Sequence, residues 1–211
     1  MKNKGMAARC AVGILGGLML AGVGTAAFAE FPNPDGTGDV DVKVDIAPTE
    51  NGALSLTVGG TETSLTEGGT TATYRQFSGA LPNVTVTDTR DEVPAGVYWY
   101  VTGQASDFVG TAGQAPITPD HLGWAPNVVT ENNGEVSAGD VVDTSIDGGA
   151  NGVGLVGQEL LALALDSSEA HAASGQWTAN ANLVLKTPVN VAPGSYTSTL
   201  TLSLFEDAIA E

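Results

Sequence analysis

Two stretches of sequence decide the fold class: residues 176–186, which read QWTANANLVLK, and residues 195–205, which read SYTSTLTLSLF. Apolar and polar side chains alternate in both stretches, and this alternation is typical of a half-buried β-strand. In the second stretch, threonine and serine occupy the outward face. A turn that contains proline and glycine separates the two stretches, so the pattern predicts that they form an antiparallel pair.

Shorter stretches upstream repeat this pattern, each ending at glycine, proline or serine. The clearest predicted strands are residues 39–46 (DVDVKVDI), 53–58, 71–77, 84–88 and 96–101. No stretch between residues 30 and 117 predicts a helix. About ten strands without β-α-β spacing indicate an all-β protein, a single-domain antiparallel β-sandwich with long loops that follows a cleaved signal peptide.

Two regions of the second half are harder to interpret. Residues 117–157 are punctuated by Pro, Gly, Asn and Asp, so we expect long loops with one or two minor strands. Residues 158–173 (QELLALALDSSEAHAA) are the single candidate helix. Leucine at every second position favours a strand followed by a loop almost equally, and the sequence leaves both interpretations open.

The N-terminus has the layout of a secretory signal peptide. A basic stretch ending at Arg9 precedes an uncharged apolar run over residues 11–27, and small residues at 27 and 29 predict cleavage after Ala29. An uncleaved membrane anchor is the alternative, because the run approaches the length of a membrane span. We therefore divide the chain into a signal peptide (1–29), a flexible acidic leader (30–38), a β-sandwich domain (39–207) and a tail (208–211).

The charge of the chain changes at the predicted cleavage site. Removal of residues 1–29 leaves four basic and 24 acidic residues, a net charge of −20, and it also removes Cys10, the single cysteine. Such a charge excludes a nucleic-acid binder and argues against attachment to anionic lipid or membrane insertion after cleavage. Loss of the cysteine excludes disulfides, cysteine nucleophiles and thiolate metal sites.

Catalytic and metal-binding motifs are absent from the sequence. It contains neither a G-x-S-x-G elbow nor H-E-x-x-H, and we expect His121 and His171 to be solvated loop residues. We therefore expect no catalytic residue, no enzyme and no cofactor. The weak metal candidates are Asp35, Asp39 and Asp41, whose spacing departs from that of a calcium loop.

Aromatic residues are more informative than the charged ones. In Tyr98-Trp99-Tyr100, strand alternation places Trp99 and Val101 on one face and the two tyrosines on the other. We expect Trp99 to be a core residue. A face that carries Tyr98 and Tyr100 is amphipathic and suits a sugar ring or another protein, and Trp124 is a further candidate for aromatic contact.

Three sequence blocks together resemble the WxL domain of Gram-positive surface proteins. Residues 84–90 (VTVTDTR) are similar to the family's V-x-V-x-D-x-R lead-in, and residues 99–101 (WYV), with Ser106 and Phe108, resemble the first W-x-[LV] motif. Residues 194–204 (GSYTSTLTLSL) are similar to the closing G-x-Y-x-[AS]-T-L-T-W-x-L. The chain departs from the family at Leu202, where the second tryptophan is expected.

The resemblance implies non-covalent attachment to the Gram-positive cell wall through peptidoglycan, and association with other secreted surface proteins. It also implies which positions form the binding motif: Trp99, Tyr100, Val101, Leu202 and Leu204. Asp88 and Arg90 fall within the lead-in, and we expect them to form a structural ion pair.

The sequence thus favours a secreted, non-enzymatic protein of the cell surface that associates with the wall. The alternative is an adhesin, or a subunit of a surface assembly or fibre, whose ligand is a protein. An exported enzyme acting on carbohydrate is a third interpretation, and it requires two carboxylates that converge in one cleft. Because the wall is itself anionic, an acidic protein must bind it through close contacts or through Ca²⁺ or Mg²⁺ ions that bridge carboxylates to wall phosphates.

Overall fold

The structure is a computed structural model and describes residues 52–209. The signal peptide, the acidic leader, the predicted strand 39–46 and the weak metal candidates Asp35, Asp39 and Asp41 lie outside the described residues. Within residues 52–209 the chain forms twelve strands, one short α-helix and one 3₁₀ turn, so the all-β prediction is confirmed.

The first seven strands are β1 (Leu54–Val58), β2 (Thr66–Glu67), β3 (Tyr74–Ala80), β4 (Val84–Asp88), β5 (Val97–Ala105), β6 (Val109–Gly110) and β7 (Leu122–Val128). The 3₁₀ turn, Pro119–His121, immediately precedes β7. The remaining elements are β8 (Ser137–Ala138), β9 (Glu159–Ala164), α1 (Ser167–Ala173), β10 (Gln176–Pro188), β11 (Tyr196–Thr197) and β12 (Leu200–Ala208). The last strand ends one residue beyond the predicted end of the domain at Asp207.

The strands form two main antiparallel sheets. In the first, which we call the β10 sheet, β10 pairs with β3 and β4 along one edge and with β7 along the other. Beyond these strands, β2 pairs with β3, and β1 pairs with β4. In the second, the β5 sheet, the order is β12-β5-β9-β8. A two-stranded ribbon of β6 and β11 lies apart from both.

The core lies between the inward faces of the two sheets. Every second side chain of β10 is buried, as its alternating pattern predicts: Trp177, Ala179, Ala181, Leu183 and Leu185. The opposing layer comes from β5 and β9, where Trp99, Val101 and Leu161 are at most 1% exposed. Because a fully buried aliphatic side chain contributes about 1.5–3 kcal/mol, this double layer is the main source of stability.

The predicted pairing of the two longest alternating stretches is wrong. Residues 176–186 lie in β10, whereas residues 195–205 form β11 and most of β12, and β12 pairs with β5 in the other sheet. The connection between them carries β11, which pairs with β6, so the chain passes from one sheet to the other. Alternation correctly identified each half-buried strand, but it carries no information about the partner strand.

The ambiguous residues 158–173 contain both predicted alternatives in succession. The strand alternative corresponds to β9, but its leucines do not share one buried face: Leu161 is fully buried, Leu163 is half-buried, and Leu165, just beyond the strand, is 68% exposed. The register of β9 against β5 shifts beside Leu161, so the buried face passes to Ala162 and Ala164. The helix α1 begins directly afterwards, because the Asp166 carboxylate accepts hydrogen bonds from the backbone N–H groups of Ser168 (2.8 Å) and Glu169 (3.1 Å).

The prediction of loops with minor strands for residues 117–157 misses β7. This strand contains Gly123 and Pro126, two residues that normally argue against a strand interior. Gly123 is needed because a Cβ atom there would lie 2.5 Å from the carbonyl oxygen of Val142. Pro126 is tolerated because β7 lies at the margin of the β10 sheet, where its outer edge makes only a single bridge, from Trp124 to Val142, among the described residues.

Candidate functional site

The first WxL-like motif is divided between the core and the surface. Trp99 and Val101 point inward and are each 1% exposed, as expected for Trp99. The space beside Trp99 is a void of about 10 Å³ bounded by Val84, Leu161 and Trp177. A void of this size holds one water at most, so Trp99 supports the fold and does not contact a ligand directly.

Trp124, the further candidate for aromatic contact, is a core residue, and the prediction for it is wrong. Its side chain is 2% exposed and lies against Gly103 of β5. A Cβ atom at Gly103 would lie 2.6 Å from the Trp124 ring and 3.3 Å from a methyl group of Leu202. An indole therefore fills the core beside Leu202, although position 202 itself has no tryptophan.

The second motif lies on β12, at the edge of the β5 sheet. Leu202 pairs with Gly103 and Leu204 pairs with Val101, so the two WxL-like motifs are neighbours across one strand pair. Both leucines are half-buried and pack against the core. The structure thus brings the two motif segments together, and their inward side chains form part of the sandwich interior.

The outward face of the same strand pair carries an aromatic strip, which we define as Tyr98, Tyr100 and Phe205. The rings of Tyr98 and Tyr100 are stacked at 5.8 Å between centroids, and those of Tyr100 and Phe205 at 5.1 Å, with interplanar angles of 20° and 22°. The prediction that the two tyrosines face away from Trp99 is confirmed. Phe205 was missed because its place beside Tyr100 depends on the β5–β12 register.

A carboxylate holds one tyrosine of the aromatic strip in place. The hydroxyl of Tyr100 donates a hydrogen bond of 3.0 Å to Asp207, which pairs with Tyr98 across the strands. This bond raises the pKa of Tyr100 above its usual 10.0, so the phenol remains protonated at physiological pH. The strip therefore combines apolar ring surface with fixed polar groups, an arrangement suited to sugar rings and to protein surfaces.

Arg90 connects the two sheets through a cluster that we call the Arg90 clamp: Asp88, Arg90 and Glu206. The guanidinium donates to both carboxyl oxygens of Asp88 at 2.8 and 2.6 Å, and to both carboxyl oxygens of Glu206 at 2.9 and 2.8 Å. Asp88 ends β4 of the β10 sheet, while Glu206 belongs to β12 of the β5 sheet. The expected ion pair of Asp88 and Arg90 is therefore present and extends to a third residue.

Burial makes this clamp electrostatically strong. The side chains of Arg90 and Asp88 are 14% and 6% exposed. Burial alone would raise the pKa of Asp88, but the hydrogen bonds from Arg90 outweigh it, so the pKa of this carboxyl lies below its ordinary 3.8. The two carboxylates in turn raise the pKa of Arg90, which stays charged at every accessible pH.

The lowered pKa of Asp88 predicts a loss of stability in acid. Because its pKa is lower in the folded protein than in the unfolded chain, Asp88 stabilises the fold above its unfolded pKa, and this contribution disappears as the pH falls through the folded value. We expect the free energy of unfolding, measured with urea, to decrease from about pH 5 to about pH 3. Asp88→Asn should be less stable than the wild type at neutral pH and show a shallower decrease. An equally steep decrease in both proteins would contradict the assignment.

The other basic side chains of the described residues are also paired with carboxylates. Besides Arg90, the lysines and arginines of this part of the chain are Arg75, bound to Glu67 at 2.8 Å, and Lys186, bound to Asp147. The expectation of solvated histidines is wrong: His121 and His171 are 19% and 31% exposed and lie 3.0 Å from Asp120 and 3.9 Å from Asp88. All three basic side chains of residues 52–209 are thus engaged by carboxylates.

A groove of about 1040 Å³, which we call the side groove, opens between residues 58–65, the inner face of β10 and the start of β12. Its floor consists of apolar side chains that are buried or half-buried: Leu65, Phe77, Ile117, Leu183, Leu185 and Leu202. Its rim is mostly polar and exposed, with Thr61, Glu62, Ser64, Ser195 and Thr197. Glu62 is the one carboxylate among these lining residues, whereas glycosidase chemistry requires two.

Within the described part of the chain, no group of three or more His, Cys, Asp or Glu side chains is arranged to hold a metal ion. Across residues 52–209, no helix has the length and apolar character needed to cross a membrane. A scan against protein-family models found no matching family, and a search of curated proteins found no match for the chain.

Proposed function

We propose that the protein is a secreted, non-enzymatic surface protein that associates non-covalently with the bacterial cell wall, with peptidoglycan as its ligand. The observation that carries this proposal is the aromatic strip, which lies on the outward face of the two strands that contain both WxL-like motifs. The inward side chains of these motifs build the core, and the outward ones form the contact surface.

Charge decides which kind of contact this surface can make. With a net charge of −20 after signal cleavage, the protein is repelled by an anionic wall polymer beyond close range, although salt confines this repulsion to about 10 Å at 0.1 M. Stacked phenol rings gain affinity from desolvation and hydrogen bonding at short range. The sugar backbone of peptidoglycan, rather than the wall phosphates, is therefore the ligand that the aromatic strip favours.

Removal of the two tyrosines of the strip tests the proposal. We expect a Tyr98→Ser/Tyr100→Ser variant to bind isolated cell walls at least about tenfold more weakly than the wild type, equivalent to a loss of about 1.4 kcal/mol. The matched control is Tyr74→Ser, which removes a half-exposed tyrosine of β3 in the other sheet. Equal binding by all three proteins in a sedimentation assay would refute wall binding through this strip.

The same assay with a chelator tests the role of cations. If Ca²⁺ or Mg²⁺ ions bridge carboxylates to wall phosphates, EDTA should release the wild-type protein from the walls. Retention of the protein in EDTA, together with loss of binding in the tyrosine variant, would assign the affinity to aromatic contact alone.

A second function, that of an adhesin or assembly subunit with a protein ligand, is favoured by the side groove. The groove exposes apolar side chains of the core beside strand margins, and proteins commonly use such margins to bind an extended segment of a partner. The groove lies apart from the aromatic strip, so the two functions are compatible and separately testable.

A further inference from the structure

Within the described residues, the side groove lies beside a segment, residues 61–64, whose backbone has no backbone partner. Leu65, Leu200 and Leu202 pack against the core from this side and are only half-buried. Among the described residues, the backbone of residues 61–64 makes no hydrogen bond to another backbone group. An extended chain laid along residues 61–64 would satisfy these backbone groups and cover the apolar floor at the same time.

The walls of the groove determine the shape of such a segment. A strand points alternate side chains to opposite faces, so every second side chain would enter the groove and the others would face the rim. The floor is apolar, with Phe77, Leu183 and Leu202 among its residues. A matching segment therefore carries apolar residues at alternate positions.

Charge determines which residues suit the alternate positions of the segment that face the rim of the groove. Glu62 is exposed on the rim and has no ion-pair partner among the described residues, whereas the nearby Arg75 is neutralised by Glu67. The chain as a whole is strongly acidic, which attracts cations and repels anions at long range. The residues that face the rim are therefore best matched by lysine or arginine.

We propose that the side groove binds an extended, cationic segment of a partner protein, which adds as a strand beside residues 61–64. This inference rests on the second function proposed above, that of a protein ligand, and it is independent of wall binding through the aromatic strip. Its failure would leave the tyrosine experiment unaffected, because that experiment reports on the opposite face of the β5 sheet.

The probe is a synthetic peptide of about eight alternating Val and Lys residues, long enough to span about 26 Å as a strand. We expect this peptide to bind at least about tenfold more tightly than a Val–Glu peptide of the same length, and more tightly than a Thr–Lys peptide, which keeps the charge but lacks apolar side chains. Isothermal titration at low salt measures the three affinities.

Two variants locate the peptide on the protein. Glu62→Lys reverses the rim charge and should weaken binding of the Val–Lys peptide about fivefold. The control Glu131→Lys makes the same change in an exposed loop outside the groove and should alter affinity less than about twofold. Both substitutions are on the surface, so neither variant should fail to fold.

Hydrogen exchange provides the decisive result. Binding of the Val–Lys peptide should slow amide exchange at residues 61–64 and leave the aromatic strip unchanged. Three results would each overturn the proposal: a Val–Glu peptide that binds as tightly as the Val–Lys peptide, protection from exchange confined to the aromatic strip, or the same loss of affinity in Glu62→Lys and Glu131→Lys. It would also be overturned if residues 61–64 were already protected without peptide, since the groove would then be filled by another part of the chain or, where protection rises with protein concentration, by a second copy.

Discussion

Replacement of Arg90 by methionine should lower the free energy of unfolding by about 3 kcal/mol or more. The substitution keeps most of the side-chain volume but leaves Asp88 and Glu206 facing each other without the cation that joins them. Asp88 is almost completely buried, so its charge would keep only the backbone N–H of residue 90 and His171, 3.9 Å away, as partners in a medium that solvates it poorly. The connection between the two sheets at this end of the sandwich would also be lost.

Arg75→Met is the matched control for this experiment. Arg75 and Glu67 also form a salt bridge at 2.8 Å, but their side chains are 34% and 42% exposed, and exposed pairs contribute about 1 kcal/mol or less. Urea denaturation of the two variants under the same conditions gives the comparison. If Arg90→Met were no more destabilising than Arg75→Met, the Arg90 clamp would be an ordinary surface pair.

Replacement of Trp99 by alanine should cost about 3–5 kcal/mol of stability, the range observed when a large aromatic side chain is removed from a packed core. Trp99 is 1% exposed and is surrounded by Val84, Leu161 and Trp177, so the neighbouring side chains cannot close the cavity without moving both sheets. Thermal and urea denaturation followed by circular dichroism measure the loss.

The control for Trp99→Ala is Tyr98→Ala, the adjacent residue on the outward face, which should cost less than about 1 kcal/mol. A small effect at Trp99 would mean that this part of the core repacks easily. The difference between the buried Trp99 and the outward tyrosines also decides which variant is suited to binding experiments. A Trp99 variant that no longer binds cell walls reports loss of folding, whereas the tyrosine variant reports loss of the contact surface.

Strand alternation predicted the elements that are buried on one face. β10 follows its pattern at every position, and the buried face of β4 follows residues 84–88, including Asp88 at the end of the strand. These patterns depend only on which side of one strand meets the core. The alternation therefore predicts the faces of Trp99 and Tyr100 correctly without any information about strand pairing.

The sequence could not predict relations between distant segments. Three features depend on strand order and register. They are the placement of β10 and β12 in different sheets, the part that Glu206 takes in the Arg90 clamp, and the position of Phe205 beside Tyr100. Trp124 was misassigned for a different reason, because the strand that carries it contains Gly123 and Pro126 and has the local signature of a loop. The side groove has no local signature, since it forms where described segments that are far apart in sequence meet around an apolar floor.

The pairing of all three basic side chains within residues 52–209 has a consequence for proteolysis. Proteases of the trypsin type recognise a lysine or arginine side chain through a carboxylate in their specificity pocket, and between residues 52 and 209 the chain offers only Arg75, Arg90 and Lys186. Each of these side chains is already held by a carboxylate of the protein itself, and two of them lie within β3 and β10. Such an enzyme can cleave at these three residues only after the strand leaves its sheet or the clamp opens, so residues 52–209 present it with almost no substrate while they are folded.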